Sequence, residues 1–371
     1  MAGAGDDDTQ RAGAGEAFAS VRRTSVEGPS GTGPGAGRLP VRRVAGRVVA
    51  VTGACSFVGR NLVGVLEEDE TVSKIIVLDV STPPTAGART RSYRVDLTQP
   101  SASARLAEIL EAEHVDVVAH LAFLSSPTTS DGWAHELECA GTMHLLMACR
   151  QAGVRQIVSS SSTLLYGPHP SNANFLREDA PLRGLPGCRF LADKIEAETQ
   201  LRTFAAQTGA CLTVLRMAPV LGPTVRNWLS NWLSRRWVPT AMGFDPLVQL
   251  LHEVDAIASI KTALDVGVPG VFNIAGAGVM PVSMLVTLAG RGTIPVPGPM
   301  LRRAVGAWWL AGVGEAPPAF VEFLTHLCVV EGARARSDLG FVPSYSTREA
   351  ALEFGGALRL REARLMSEVR P

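Results

Sequence analysis

The chain has 371 residues, of which 46% are hydrophobic and 19% charged, and its 35 lysines and arginines balance 35 aspartates and glutamates. This neutral balance gives no general electrostatic reason to bind nucleic acid or an acidic membrane surface. No apolar run reaches the roughly 18 uncharged residues that a bilayer span requires, and the N-terminus lacks the apolar core of a signal peptide. We therefore expect a cytoplasmic protein with no transmembrane segment and no nucleic-acid partner.

Cysteine usage agrees with a reducing compartment. The six cysteines are scattered, without CxxC pairs or zinc-type spacing: Cys55, Cys139, Cys149, Cys188, Cys211 and Cys328. This pattern predicts free thiols rather than a disulfide framework or a metal site.

Residues 1–43 differ in composition from the rest of the chain. They are rich in Gly, Ala, Ser and charge and contain almost no large apolar residues. Such a segment buries too little surface to offset its ordering entropy, so we predict a disordered N-terminal tail.

The first ordered stretch, from Arg47 to Asp79, has the pattern of a dinucleotide site. An apolar run ends before Gly53, a helical pattern opens near Gly59, and a second apolar run ends on Asp79, twenty residues after Gly59. The glycines let the turn approach a pyrophosphate, the helix N-terminus favours its charge, and the acid binds a ribose hydroxyl. Ser56 stands where a second glycine is expected, which predicts weakened rather than abolished binding.

Strand and helix patterns then alternate along the chain. The predicted strands cover residues 93–97, 115–121, 157–160 and 211–216, and the predicted helices cover 102–113, 133–152 and 189–207. Apolar strands alternating with helices imply an α/β fold with a parallel sheet covered on both faces. After residue 216 the pattern becomes irregular and richer in Pro and Trp, as expected of a smaller lobe.

The order of motifs resembles the extended short-chain dehydrogenase/reductase superfamily, in its NAD-dependent epimerase/dehydratase branch, from about residue 47 to about residue 354. The likeness depends on TGACSFVG at 52–59, Asp79, DL at 96–97, HLAF at 120–123, GT at 141–142, SSSTLLYG at 160–167, LRMAPVLGP at 215–223, QLLHEVDA at 249–256 and FNIAG at 272–276. Glu138 replaces the asparagine that usually precedes the GT pair. Residues 244–253 and 270–279 are similar to a bacterial group labelled UDP-glucose 4-epimerase-like.

The resemblance implies a Rossmann-type doubly wound parallel sheet with a small C-terminal α/β substrate lobe. We place the NAD-binding domain at 44–223, the lobe mainly at 224–360 with some segments returning to the sheet, and a tail at 361–371. The implied cofactor is NAD rather than NADP, since no basic residue follows Asp79 to receive a 2′-phosphate. The implied cofactor-binding residues are Gly53, Ser56, Phe57, Val58, Gly59, Asp79, Asp96, Leu97, Leu121, Ala122 and Lys194.

The catalytic motif departs from the family. The superfamily transfers a proton with the tyrosine of YxxxK, but here the segment begins with Phe190 and ends with Lys194. Phenylalanine has no ionisable proton, and loss of a proton-transfer group typically lowers the rate by about 10²–10⁴-fold. Ser162 matches the assisting hydroxyl, and Lys194 keeps the register of the lysine that holds the nicotinamide ribose. Tyr166 is a candidate substitute base, although the family has a structural tyrosine there.

Two functional hypotheses follow. By resemblance, the protein binds NAD and acts on a small-molecule substrate, a nucleotide sugar or a related carbonyl or alcohol, as an epimerase, dehydratase or reductase through transient hydride transfer. The alternative is a catalytically degenerate NAD-binding sensor or scaffold, motivated by Phe190 and Ser56. The resemblance also implies a homodimer. Two aromatic stretches, around Trp228 and Trp308, favour packing in the lobe core over a pocket, a dimer face or a membrane contact.

Overall fold

A computed structural model of the chain describes residues 46–368, so the predicted tail at 1–43 lies outside the described residues. In this described part, no helix is both long and apolar enough to cross a membrane.

Within residues 46–368 the strands, in chain order, are β1 Arg47–Thr52, β2 Val72–Asp79, β3 Thr90–Arg94, β4 Val117–His120, β5 Gln156–Ser162, β6 Cys211–Met217, β7 Val220–Leu221, β8 Trp237–Ala241, β9 Leu247–Val248, β10 Leu251–His252, β11 Gly270–Ile274, β12 Met280–Pro281 and β13 Gly292–Val296. Seven of them form one parallel sheet in the order β11-β6-β5-β4-β1-β2-β3. The run 3-2-1-4-5-6 is the doubly wound order, so the predicted α/β fold is confirmed.

The helices of the described residues are α1 Phe57–Glu68, α2 Ala102–Ala112, α3 Asp131–His135, α4 Gly141–Ala152, α5 Arg189–Thr208, α6 Trp228–Ser234, α7 Glu253–Val266, α8 Val282–Leu288, α9 Gly298–Leu310, α10 Ala333–Asp338 and α11 Thr347–Glu368. Two 3₁₀ segments, Thr163–Tyr166 and Pro318–Leu324, accompany them. The apolar side of α1 illustrates why they form: Leu62, Val63 and Leu66, at helical spacing, are buried.

The main core lies on the sheet. In the interior strand β2, Ile75–Leu78 are all buried, as expected where helices cover both faces of a parallel sheet. These apolar strands are the part of the chain whose pattern is strongest in the sequence.

Three elements differ from the sequence prediction. The predicted helix 133–152 contains a π-helical turn, Glu136–Ala140, between α3 and α4. The third strand is β3 rather than 93–97, because an edge strand pairs through its backbone and tolerates polar side chains. The segment predicted as a tail from 361 instead belongs to α11 up to Glu368. Within this segment, the Arg361 side chain donates to the carbonyl of Pro223.

The smaller lobe is built from short elements. In the described chain it contains three two-stranded pairings, β7 with β10, β9 with β12, and β8 with β13. Its core gathers residues from α6, α8 and α11, among them Leu233, Val286 and Phe354. Strand β11 lies later in the chain but returns to the edge of the main sheet beside β6.

Candidate functional site

A tight glycine turn joins β1 to α1 at the carboxyl end of the sheet. Gly53 has φ +65°, and a Cβ there would lie 2.5 Å from the carbonyl oxygen of Leu121. A Cβ on Gly59 would lie 2.1 Å from the carbonyl oxygen of Gly53. Both distances are too short for a side chain, so glycine is needed to bring the turn, α1 and the end of β4 together. The neighbouring strands β1 and β4 mark the point where the strand order reverses, where such folds bind ligands.

Ser56 is the N-cap of α1. Its hydroxyl accepts a hydrogen bond of 3.1 Å from the Gly59 amide, and its backbone is extended. Serine is among the preferred N-cap residues, which explains why it is tolerated where glycine was expected. Phe57 and Val58 open the helix, and the first amides of a helix have no intrahelical partner. These amides remain available for a phosphate, except that of Gly59, which donates to the Ser56 hydroxyl.

Asp79 lies beside this turn, at the end of β2. Its Oδ2 accepts from the Cys55 amide at 2.9 Å and its Oδ1 from the Val80 amide at 2.7 Å. Each carboxylate oxygen has two lone pairs, so both can still accept from ribose hydroxyls. The structure therefore positions the acid as a dinucleotide site requires.

Asp96 follows β3 near the same edge. Its carboxylate is exposed and accepts from the amide and hydroxyl of Thr98. The hydrogen bond from the Thr98 hydroxyl is the main cause that lowers the pKa of Asp96, which keeps it ionised. Leu97 is buried beside it. An exposed acid next to a buried apolar residue is suited to the edge of an adenine ring.

A buried histidine locks the ends of β1 and β4 beneath the site. His120 Nδ1 lies 2.8 Å from Thr52 Oγ1, and its Nε2 lies 3.1 Å from Thr142 Oγ1. Burial lowers the pKa of His120 to about 3, so the ring is neutral. The following residue, Leu121, donates its amide to the Thr52 carbonyl at 3.2 Å. These contacts hold Leu121 and Ala122 against the glycine turn.

Lys194, on α5, is held by a carboxylate and two aromatic rings. Its Nζ donates to Glu138 Oε1 at 2.9 Å, and both side chains are buried. The ammonium lies 5.2 Å from the ring centre of Phe123 and 4.9 Å from that of Phe190. Because Lys has three N–H donors, two remain for ribose hydroxyls. The residues from Gly53 to Lys194 therefore fit NAD.

Glu138 is a residue of the candidate site that the sequence did not predict. It lies in the π-helical turn, and its Oε1 also accepts from the Leu124 amide at 2.8 Å. Burial raises the pKa of Glu138, and the positive charge of Lys194 opposes this shift. π-turns inside helices occur frequently at functional sites. The replacement of asparagine by an acid was the available signal, but nothing local indicated that Lys194 would be its partner.

Phe190 belongs to an apolar cluster. It packs with Leu164 and Leu185, and its ring centre lies 6.3 Å from that of Phe320 in the 3₁₀ segment Pro318–Leu324. Where the superfamily has a phenol, the surface here is continuously apolar.

The two candidate hydroxyls have different surroundings. Ser162 ends β5, and its oxygen accepts from the Leu164 amide at 3.2 Å, which leaves the hydroxyl proton for another acceptor. Tyr166 is buried, donates to Asn273 Oδ1 at 2.7 Å and accepts from Arg216 Nη1 at 2.8 Å. Burial raises its pKa further. These contacts indicate a structural role for Tyr166, whereas the Ser162 hydroxyl proton has no hydrogen-bond acceptor among the described residues.

A cavity of about 120 Å³ opens beside Phe190's cluster. Both aromatic stretches contribute to it: Trp228, Trp232 and Trp308 line the cavity, while Leu229 packs in the lobe core and also reaches the wall. The favoured interpretation of the tryptophans as core residues is thus incomplete.

Three potential metal ligands also lie together on α3, the π-turn and α5. The ligand atoms of His135, Cys139 and Glu196 are within 4.8 Å of one another. Burial, with help from nearby carboxylates, raises the pKa of Cys139 to about 12. Because metals bind the thiolate, this environment disfavours a metal, and none is proposed.

Comparisons with known proteins agree with this geometry. An uncharacterized protein of Mycobacterium tuberculosis is 32% identical over 319 residues, covering 82% of each chain. A 3-diazoavenalumate denitrifying reductase of Streptomyces is 26% identical, covering 80% of this chain and 96% of its own. A UDP-glucose 4-epimerase of Thermus thermophilus, solved with NAD, has a similar fold, with a TM-score of 0.66, 19% identity, and coverage of 84% of this chain and 99% of its own.

The sequence pattern of the NAD dependent epimerase/dehydratase family matches residues 49–275, more than half of the chain. This match covers the glycine turn, Asp79, Ser162 and Lys194, and it confirms NAD as the cofactor of the family to which these residues point. The chain therefore belongs to the NAD dependent epimerase/dehydratase family.

Proposed function

We propose that the protein transfers a hydride between NAD and an alcohol or carbonyl carbon of a small molecule bound between the sheet and the lobe. The observation that carries this proposal is the position of Lys194, which keeps its register, is fixed by Glu138 at 2.9 Å and retains free N–H donors. Because an unpaired buried ammonium is costly, the pairing with Glu138 keeps Lys194 charged at this position, where it can donate to ribose hydroxyls.

NAD, when bound, would supply hydride acceptance and return at the reacting carbon. Ser162 donates a hydrogen bond from its hydroxyl to the substrate oxygen and so polarises it. When the carbonyl carbon receives the hydride, its oxygen takes a proton from the Lys194 ammonium, and the neutral amine takes that proton back in the reverse direction. Lys194 holds the ribose hydroxyls and, 4.9 Å from the ring centre of Phe190, provides an acidic N–H near the position where the family has a phenol. Tyr166 maintains the fold through Asn273 and Arg216.

The relatives leave the substrate open. One is named as a reductase and one solved neighbour as a UDP-glucose epimerase, and at 19% identity the second likeness supports the fold alone. Neither supports the degenerate sensor or scaffold. A nucleotide sugar, or a related alcohol or carbonyl compound, is therefore the class to test, and a homodimer stays a prediction.

The test measures NAD affinity and the absorbance of reduced nicotinamide with candidate alcohols, for the natural chain and for Phe190→Tyr. We expect both proteins to bind NAD. The natural chain should turn over slowly, and Phe190→Tyr should turn over at least about 10²-fold faster than the natural chain, because the phenol is restored. Phe123→Tyr is the matched control, since it adds a phenol on the other side of Lys194, and should give no such gain. A natural chain that does not titrate NAD would contradict the proposal.

A further inference from the structure

The cavity next to the proposed reaction centre is lined mainly by apolar side chains. Its walls include Leu164 and Phe320, which also pack against Phe190, together with Trp228, Trp232, Val248 and Val305. Trp228 contacts Phe320 edge to face at 5.2 Å between ring centres. Because Leu164 follows Ser162 by two residues and bonds to its hydroxyl oxygen, the apolar wall begins at the catalytic segment.

The charged side chains of the cavity are paired with each other. Arg235 is the one lysine or arginine among the described lining residues, and its Nη2 donates to both carboxylate oxygens of Glu315 at 2.8 and 2.7 Å. Its guanidinium also lies 5.0 Å from the centre of the Trp308 ring. The amide of Gln249 is engaged at both ends, by the Gly276 carbonyl and the Val330 amide. The cavity therefore presents no unpaired charge to a ligand.

This charge state conflicts with a nucleotide sugar. A diphosphate is recognised by arginine, lysine or a helix N-terminus through charge-assisted hydrogen bonds. Arg235 is neutralised by Glu315, so a diphosphate buried here would have no compensating positive charge. An uncharged hydrocarbon loses nothing in this environment and gains from leaving water.

The volume of the cavity limits the size of the group that it can bind. An apolar protein cavity of about 150 Å³ is known to hold benzene, and this cavity measures about 120 Å³. It is thus suited to one ring-sized group, while the remainder of a larger molecule would extend toward Ser162.

We propose that the substrate is a neutral alcohol or ketone with a ring-sized apolar body, which this cavity binds, and that Phe190 supports the cavity from the apolar cluster that shares Leu164 and Phe320 with its wall. The proposal rests on the proposed hydride transfer and names its substrate class. It also gives the phenylalanine ring a role, because Phe190 extends the apolar cluster that borders the cavity.

The experiment uses the full chain loaded with NAD and follows binding by ligand-observed NMR, with benzyl alcohol and UDP-glucose as probes. Benzyl alcohol should bind saturably, and UDP-glucose should neither bind as tightly nor displace it. Val305→Phe and Val248→Phe each add a ring to the cavity wall, one from α9 and one from β9, and should each weaken the binding of benzyl alcohol at least tenfold. Leu310→Phe, on the same helix as Val305 but 88% exposed, should leave it unchanged.

The two proposals fail in separate ways. Displacement of benzyl alcohol by UDP-glucose, or equal benzyl alcohol affinity in the cavity-filled and Leu310→Phe variants, would overturn the apolar substrate. The UDP-glucose measurement needs no variant, so it decides the question even if a filled cavity prevents folding. Absence of NAD binding by the natural chain would instead overturn the hydride-transfer function.

Discussion

The cofactor half and the lobe half of this molecule recognise ligands by different means. In the proposed NAD site, the features are backbone and charge: the Gly53 turn, the N-terminus of α1, Asp79, and Lys194 paired with Glu138. In the cavity, they are the apolar side chains of Phe320 and the tryptophans, next to the cluster that contains Phe190. The first set follows its family, whereas the second carries the departure at Phe190. Membership of a cofactor-binding family therefore says little about what the other half of the cleft accepts.

We expect the largest losses of stability and of NAD affinity from a substitution in the glycine turn of the cofactor half. Gly53→Ala places a Cβ 2.5 Å from the Leu121 carbonyl at φ +65°, which should destabilise the fold by about 3 kcal/mol and weaken NAD by about 100-fold or more. Gly64→Ala is the control, since its Cβ would be 3.7 Å from Thr85. Urea denaturation and NAD titration measure both effects. Equal behaviour of the two variants would contradict a backbone-defined cofactor site.

The buried ion pair should show the next largest effect. Glu138→Gln leaves Lys194 charged, buried and without its carboxylate, which should cost about 3 kcal/mol at pH 7. The double variant Glu138→Gln/Lys194→Met removes the stranded charge and should regain most of this loss in urea denaturation, while losing affinity for NAD. If the double variant were as unstable as the single one, the pair would not be the reason for the loss.

Acid should destabilise the cofactor half through His120. The pKa of His120 is about 3 in the folded protein, below its usual 6.5, so between these values only the unfolded chain takes up the proton. The contribution of neutral His120 to the free energy of unfolding is therefore complete above pH 6.5. It is lost as pH falls, by about 1.4 kcal/mol per pH unit, which amounts to about 2 kcal/mol at pH 5.

Urea denaturation at pH 7 and pH 5 measures this loss, with His120→Gln as the control that lacks the titrating group. The natural chain should lose about 2 kcal/mol more than the variant over this range. Parallel pH profiles would show that His120 is not held neutral.

The smallest expected effect is at the N-cap of α1. Ser56→Ala removes the hydroxyl that accepts from the Gly59 amide and should cost about 1 kcal/mol, whereas Ser56→Gly should cost only a few tenths. Ser56→Gly should also tighten NAD, because it frees that amide and removes the side chain. Thermal denaturation and NAD titration compare the two, and weaker NAD binding by Ser56→Gly would show that serine contributes to phosphate binding.

Local patterns were sufficient for the cofactor half. Gly53, Gly59 and Asp79 are close in sequence, and their chemistry depends on a strand, a turn and a helix that each follow from nearby residues. The register of Lys194 was equally readable, since four residues make about one helical turn. The edge strand and the end of α11 were less predictable, because pairing and packing with distant elements determine them.

By itself the sequence determined the α/β order, the dinucleotide turn, the lysine position and the absence of a phenol at Phe190. Only the tertiary structure decided that Glu138 pairs with Lys194, 56 positions apart, and that Phe320 reaches Phe190 from a segment 130 positions away. The first contact depends on how α5 packs beside the π-helical turn, and the second on how the lobe folds back over the sheet. No local period encodes either path. The physical reason is that side-chain chemistry is local, whereas the partner that neutralises a charge or extends an apolar wall is supplied by the fold.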